Sequence, residues 1–157
     1  MNVHEACLDD IHILAVHYRK MFEEICERGA APLDNATAAE LESSYADKLV
    51  RQMPSETCKA WVIKDNGRII ASGAITIVSF VPVPADVNHN VAYLHSMYTE
   101  QAHRNKGCAH HIVDRALHYC RHRGINRVVL TTSDAGKSIY EEKGFVSAPE
   151  MMRVFIT

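Results

Sequence analysis

Arg104-Asn105-Lys106-Gly107-Cys108-Ala109 is the stretch on which the reading of this fold turns. The six residues lie between a strand-like run, Val91 to Thr99, and a helical one in which Ala109, Ile112, Val113, Ala116, Leu117 and Cys120 recur at three- and four-residue spacing. At such a junction the small residues Gly107 and Ala109 let a ligand approach the backbone. The unpaired amides of the helix's first turn, with its dipole, attract anionic oxygens. Arg104 and Lys106 add positive charge. An R-x-x-G-x-A hexapeptide also describes an ordinary strand-to-helix turn with a solvated basic edge. It has neither the lysine-serine ending of a Walker loop nor the three glycines of a dinucleotide fingerprint, which argues against nucleotide hydrolysis and hydride transfer.

Working outward towards the C-terminus, Gly124 offers a left-handed cap to the helix begun at Gly107, and Arg127 to Leu130 is a short apolar strand. Ala135 to Lys143 predicts a further helix stopped by Gly144, and Met152 to Ile156 a final strand. Towards the N-terminus, Trp61 to Ile63 and Ile69 to Phe80 read as strands joined by Asp65-Asn66-Gly67, whose Asn-Gly suits a tight hairpin. Val81-Pro82-Val83-Pro84 ends the second of them, and a polar loop follows through His89. Leu8, Ile11, Leu14, Ala15, Tyr18, Phe22 and Ile25 give an amphipathic first helix after a short strand near Val3, closed at Arg28-Gly29. Thr37 with Glu40 predicts a capping box for a second helix carrying Leu41, Tyr45 and Leu49 up to Pro54. This order is that of an α/β domain with a mixed sheet flanked by helices. Its strand-helix-strand unit, Val91 to Leu130, is expected to be a right-handed parallel crossover, with residues 1–157 forming a single domain.

Composition narrows the function classes. The formal charge of -2 disfavours nonspecific nucleic-acid binding, although residues 1 to 60 are acidic and the rest basic. No apolar run approaches the roughly 20 residues of a membrane span, and Met1 to Asp10 lacks the features of a signal peptide, so a cytoplasmic location without membrane contact is expected. Five cysteines, Cys7, Cys26, Cys58, Cys108 and Cys120, are widely spaced and read as reduced core thiols. His111, Asp114, His118 and His122 share metal-ligand spacing on one helix face, but a polar helix face explains them equally well; no metal is expected.

A second segment joins the first. Ser133-Asp134-Ala135-Gly136-Lys137-Ser138-Ile139-Tyr140-Glu141-Glu142-Lys143-Gly144-Phe145 follows the next strand and resembles the N-x-x-A-x-x-x-Y-x-x-x-G-F pattern of the GNAT acetyltransferase superfamily, whose earlier signature is Q/R-x-x-G-x-G/A. The two motifs stand in the family's order, and the resemblance covers about residues 60 to 157. It implies the GNAT fold and acetyl-CoA as cosubstrate. Met97, Tyr98 and Thr99 would bond the pantetheine arm through their backbone, and Asn105, Lys106, Gly107, Cys108, Ala109 and His110 would hold the pyrophosphate behind Arg104. Ser133 replaces the family's usual asparagine with a shorter side chain, and Lys137 would reach the phosphates. Tyr140 would protonate the leaving thiolate or bind its sulfur, with a backbone amide at a bulge near Tyr98 facing the oxyanion. His95 resembles the catalytic histidine of arylalkylamine acetyltransferases, a water relay being the other route to the base. Period-two alternation puts Tyr93, His95, Met97 and Thr99 on one face, so His95 is expected beside the cofactor positions.

The resemblance implies an acceptor site shaped by the first helices and the loop before Val91. Glu23, Glu24 and Glu27 would form an acidic rim on one side, and Pro82 to His89 would lie on the other. The partners expected are acetyl-CoA and an amine acceptor, chiefly of a small molecule, with a homodimer compatible and no nucleic acid or membrane. A protein N-terminal or lysine acetyltransferase, or a CoA-binding module without turnover, are the alternatives.

Overall fold

The computed structural model describes residues 1–29 and 31–156. Its strands are β1 Val3–Glu5, β2 Cys58–Asp65, β3 Arg68–Ser79, β4 Asn90–Thr99 and β5 Arg127–Val129, and they form one sheet in that order. The helices are α1 Ile11–Arg28, α2 Asn35–Gln52, α3 Cys108–His122 and α4 Lys137–Glu142. The first three strand pairings are antiparallel, while β4 and β5 run parallel with α3 between them. Among the described residues no helix is long and apolar enough to cross a membrane.

The hairpin between β2 and β3 turns where Asn66 and Gly67 take φ of 48° and 77°, the positive values a two-residue turn needs. Both strands are covered on both faces, which is why they read as nearly continuous apolar runs rather than alternating ones. On one face Trp61, Ile63, Ile75 and Leu94 pack against Ile112, Val113 and Ala116 of α3. On the other, Ala60, Val62 and Ala74 meet Leu14 of α1 and Tyr45 and Leu49 of α2. Leu49 and Ile112 are completely buried, each contributing roughly 2 kcal/mol of hydrophobic stabilisation. Gly73 permits the close approach of β3 to α3, since a Cβ there would come within 2.8 Å of Ile112 Cγ2 and 2.3 Å of Met97 Sδ.

Two local expectations are corrected. The cap of α2 is Asp34 rather than Thr37: the Asp34 carboxylate accepts from the Thr37 amide at 2.9 Å and from its hydroxyl at 2.7 Å. A charged acceptor at the positive end of a helix outcompetes a hydroxyl. Met152 to Ile156 is not a strand, and Val154, Phe155 and Ile156 are exposed. A strand needs a paired edge as well as apolar residues, and β5 offers only three residues, already paired to β4 on one side.

One irregularity positions the site. Ser72 pairs with Tyr98 and Ala74 with His95, so Gly73 alone on β3 faces both Ser96 and Met97 on β4. This β-bulge carries Ser96 at φ of 59°, a left-handed value that L-residues adopt only under constraint.

Candidate active site

The parallel pairing of β4 with β5 ends at Tyr93 with Val129, although β4 continues to Thr99. Beyond that point the strands splay, leaving the β5-facing edge of β4 without a strand partner. The chain then turns through Arg104 to Gly107, with Asn105 at φ of 60° and Gly107 at 81°, and enters α3. His111 N is the first helix amide to find a partner, Gly107 O at 3.1 Å. Among the described residues no group accepts from the amides of Asn105 to His110, so a row of donors at the positive end of a helix faces outward. Splay and turn open into a single cavity of about 1150 Å³, which extends between the sheet and α1 and α2. The arrangement can hold an extended, amide-bearing chain along a strand edge and an anionic group on backbone donors.

A family model, that of the acetyltransferase (GNAT) family, matches residues 20–145. The chain belongs to this family. A predicted acetyltransferase from Clostridium acetobutylicum, solved with acetyl-CoA, superposes with a TM-score of 0.83 at 24% identity, covering 98% of this chain and 95% of that one. A GCN5-related N-acetyltransferase from Ralstonia eutropha JMP134 gives 0.86 at 22% identity, covering 98% and 97%. Glucosamine-6-phosphate N-acetyltransferase from Arabidopsis thaliana gives 0.63 at 16% identity, covering 99% and 98%. These likenesses carry the GNAT fold. No curated protein matches the chain.

Most residues of the two GNAT motifs converge on the cavity: Met97, Tyr98, Thr99, Arg104, Asn105, Gly107, Cys108, Ala109, His110, Ser133 and Tyr140 all line it. Lys106 and Lys137 do not. The Lys106 ammonium donates to Ala102 O at 3.1 Å, and that of Lys137 lies 3.6 Å from Glu141 one turn along α4. Arg104 lines the cavity with its charge already matched: Nη2 donates to both Glu24 oxygens at 2.7 and 2.9 Å, and Nε to Thr99 O at 2.9 Å. The hydrogen-bonded Glu24 carboxylate holds the Arg104 pKa above its usual value. The anion-holding capacity of the turn therefore lies in its backbone. Tyr140 packs edge-on to Phe145, ring centroids 5.8 Å apart, and burial raises its phenol pKa.

His95 also lines the cavity, but on the face opposite to the one expected. The bulge at Ser96 breaks the alternation: Met97 joins the α3 side, against Gly73 and Ile112, whereas His95 stays on the α1 and α2 side with Tyr45, ring centroids 6.0 Å apart. Its ring is held at both nitrogens, Nε2 by Thr76 Oγ1 and Nδ1 by Ser96 Oγ, each at 2.7 Å. Burial, aided by the nearby Lys48 charge, pushes its pKa down to about 4. It is therefore neutral at pH 7, with one nitrogen donating and the other accepting.

The acidic rim is not there. Glu23 and Glu27 lie outside the cavity, Glu23 with Arg19 at 3.2 Å, and Glu24 is bound to Arg104 and lies 3.6 Å from Arg28. Nor does any residue of Pro82 to His89 reach the cavity; that loop folds on itself through paired bonds between Val83 and Asp86 at 2.9 Å. The end of the cavity beneath α1 and α2 is instead walled by Tyr18, Phe22, Tyr45, Val78 and Tyr93, with Lys48 among them. Tyr18 stacks on Tyr45 at 4.1 Å and Phe22 meets Tyr18 edge-on at 5.1 Å. Lys48, Thr76 and Ser96 were not anticipated; only Lys48, one turn beyond Tyr45 on α2, carried a positional signal. Buried His17, with Nδ1 on Ser72 Oγ at 2.8 Å and Nε2 3.4 Å from Glu100, was also missed. Among the described residues no three metal-ligating side chains gather, and Asp114 is taken by Lys143 at 2.8 Å.

Proposed function

We propose that residues 1–157 work as one acetyl-CoA-dependent N-acetyltransferase domain that moves the acetyl group to a primary amine of a small molecule. The observation that carries this reading is the continuity of the β4–β5 splay with the row of unaccepted amides from Asn105 to His110. A pantetheine arm requires a strand edge with free peptide groups, and a pyrophosphate requires converging donors; here the first leads into the second. The small-molecule acceptor is supported by the walls that α1 and α2 build over the far end of the cavity.

Amide formation joins the amine nitrogen to the acetyl carbon and breaks the carbon–sulfur bond. It needs the amine neutral, donors for the developing oxyanion and a proton for the departing thiolate. Tyr140 supplies that proton: burial keeps its phenol protonated at neutral pH, and it sits in the cavity wall on the splay side. The amide of Tyr98 or a neighbour at the bulge faces the oxyanion. The ammonium proton is taken by a water relay or by His95, whose accepting nitrogen must first give up its Thr76 or Ser96 hydroxyl partner. Met97, Tyr98 and Thr99 hold the pantetheine arm, and Ser133 flanks it. Asn105, Lys106, Gly107, Cys108, Ala109 and His110 hold the pyrophosphate through backbone groups.

The test is a thermal-shift titration with acetyl-CoA beside NADH and ATP, followed by thiol release over an amine library. A ligand that binds only the native state raises its melting temperature, by the equivalent of about 2.7 kcal/mol at a hundredfold excess over Kd. A shift selective for acetyl-CoA with amine-dependent thiol release is expected; no shift with any CoA thioester would overturn the reading.

A further inference from the structure

Three long cationic side chains line the cavity, and they are not alike. Arg104 and Arg28 share the Glu24 carboxylate at 2.7 and 3.6 Å. Lys48 has no such partner: among the described residues its ammonium meets only the neutral amide oxygen of Gln52, one turn further along α2, and it forms no ion pair. It is half-buried beneath the acceptor end of the cavity, where Tyr18, Tyr45, Tyr93 and His95 are its companions. An ammonium drawn partly out of water without a counter-charge is unfavourable on its own, and a cleft that keeps one is matched to an anion arriving from outside.

We infer that Lys48 is the anion-recognising residue of the acceptor site, and that the preferred acceptor is a primary amine bearing a carboxylate or phosphate on an apolar body. The inference rests on the acetyl-transfer reading and sharpens it. Each acidic side chain expected to greet a cationic amine is either outside the cavity or bound to arginine, so a polyamine or simple alkylamine would bring further positive charge towards Lys48 with nothing to offset it. An amine with its own anion satisfies Lys48 while the aromatic walls cover the apolar remainder. The same anion counters the Lys48 charge that, after burial, holds His95 in its neutral form, and so favours the proton transfer that amide formation requires.

Thiol release is measured with acetyl-CoA and amines matched in skeleton but differing in charge: one arm anion-free, one carboxylate-bearing, one phosphate-bearing. Wild type, Lys48→Met and Lys48→Arg are compared. Wild type should favour one anionic arm by about 10-fold or more in kcat/KM, and that arm identifies the anion. Lys48→Met should reduce the ratio of anionic to anion-free turnover by about 10- to 100-fold, the loss of one charge-assisted hydrogen bond, and Lys48→Arg should restore most of it. Anion-free amines turned over as well as the others by wild type, or an anionic preference that survives Lys48→Met, would overturn the inference and leave the acetyltransferase reading standing. A protein shifted by acetyl-CoA that turns over no amine of any arm also counts against it. Failure of acetyl-CoA to shift the melting temperature overturns both.

Discussion

The two ends of the cavity are built from different materials. The end that runs along β4 into the 104–110 turn is made of backbone: peptide groups of a splayed strand edge and the unaccepted amides of a helix start. The end beneath α1 and α2 is made of side chains from four elements, Tyr18, Tyr45, Thr76 and His95 among them. A backbone site needs only small residues at fixed spacing in one stretch of chain. A side-chain site needs distant segments to meet, and each contributor can change without altering the others.

The largest effect expected concerns a side chain that serves the backbone-built end. Tyr140→Phe should lower kcat by about 100-fold or more, the range of a lost general acid, with the KM for acetyl-CoA changed by less than about 3-fold. A loss below about 5-fold would reduce Tyr140 to packing against Phe145 and make this end backbone alone. The second prediction probes the other end. His95 has a folded pKa of about 4 against an ordinary value of 6.5, so it binds a proton more readily when unfolded. Stability should therefore be highest above pH 6.5 and decline as pH falls towards 4, by roughly 3 kcal/mol at most from this residue. His17, whose pKa burial also lowers, adds in the same direction. In denaturant melts His95→Asn should flatten part of that decline; an unchanged slope would mean that the folded ring takes up its proton as readily as the unfolded one. The smallest effects separate backbone from charge at the turn. Gly107→Val forces an L-residue to φ of 81° and should destabilise by about 1–2 kcal/mol while weakening acetyl-CoA binding. Lys106→Ala and Lys137→Ala should each alter acetyl-CoA KM by less than about 3-fold. A larger rise with either lysine variant would show that charge, not peptide dipoles, holds the phosphates.

The division between the ends also governed what could be read in advance. The hairpin at Asn66-Gly67, the start of α3 at Gly107 and the parallel β4–α3–β5 unit were legible because each follows from residues adjacent in sequence. The carboxylate of Glu24 was visible, but its capture by Arg104, 80 residues away, was not, and with it went the acidic rim. Lys137 was assigned by charge and position, while its side chain found a nearer partner in Glu141; Lys106 was assigned through its turn amide, and only its ammonium is turned away, to Ala102 O. Met152 to Ile156 has the composition of a strand without an edge to join.

Ser96 acts on β4 as a phase shift acts on a wave. Upstream of it, Ala92 and Leu94 face α3 and odd-numbered Tyr93 and His95 face α1 and α2; downstream the parity is exchanged, with Met97 against Ile112 and Tyr98 beside His17 at 4.9 Å. Removing Ser96 would straighten the strand and leave both where they are, whereas moving the extra residue to just beyond Tyr98 would turn the thioether towards α1 and α2 and the phenol towards α3. The chemical lining of both sides of the sheet is thus set by the location of a single surplus residue.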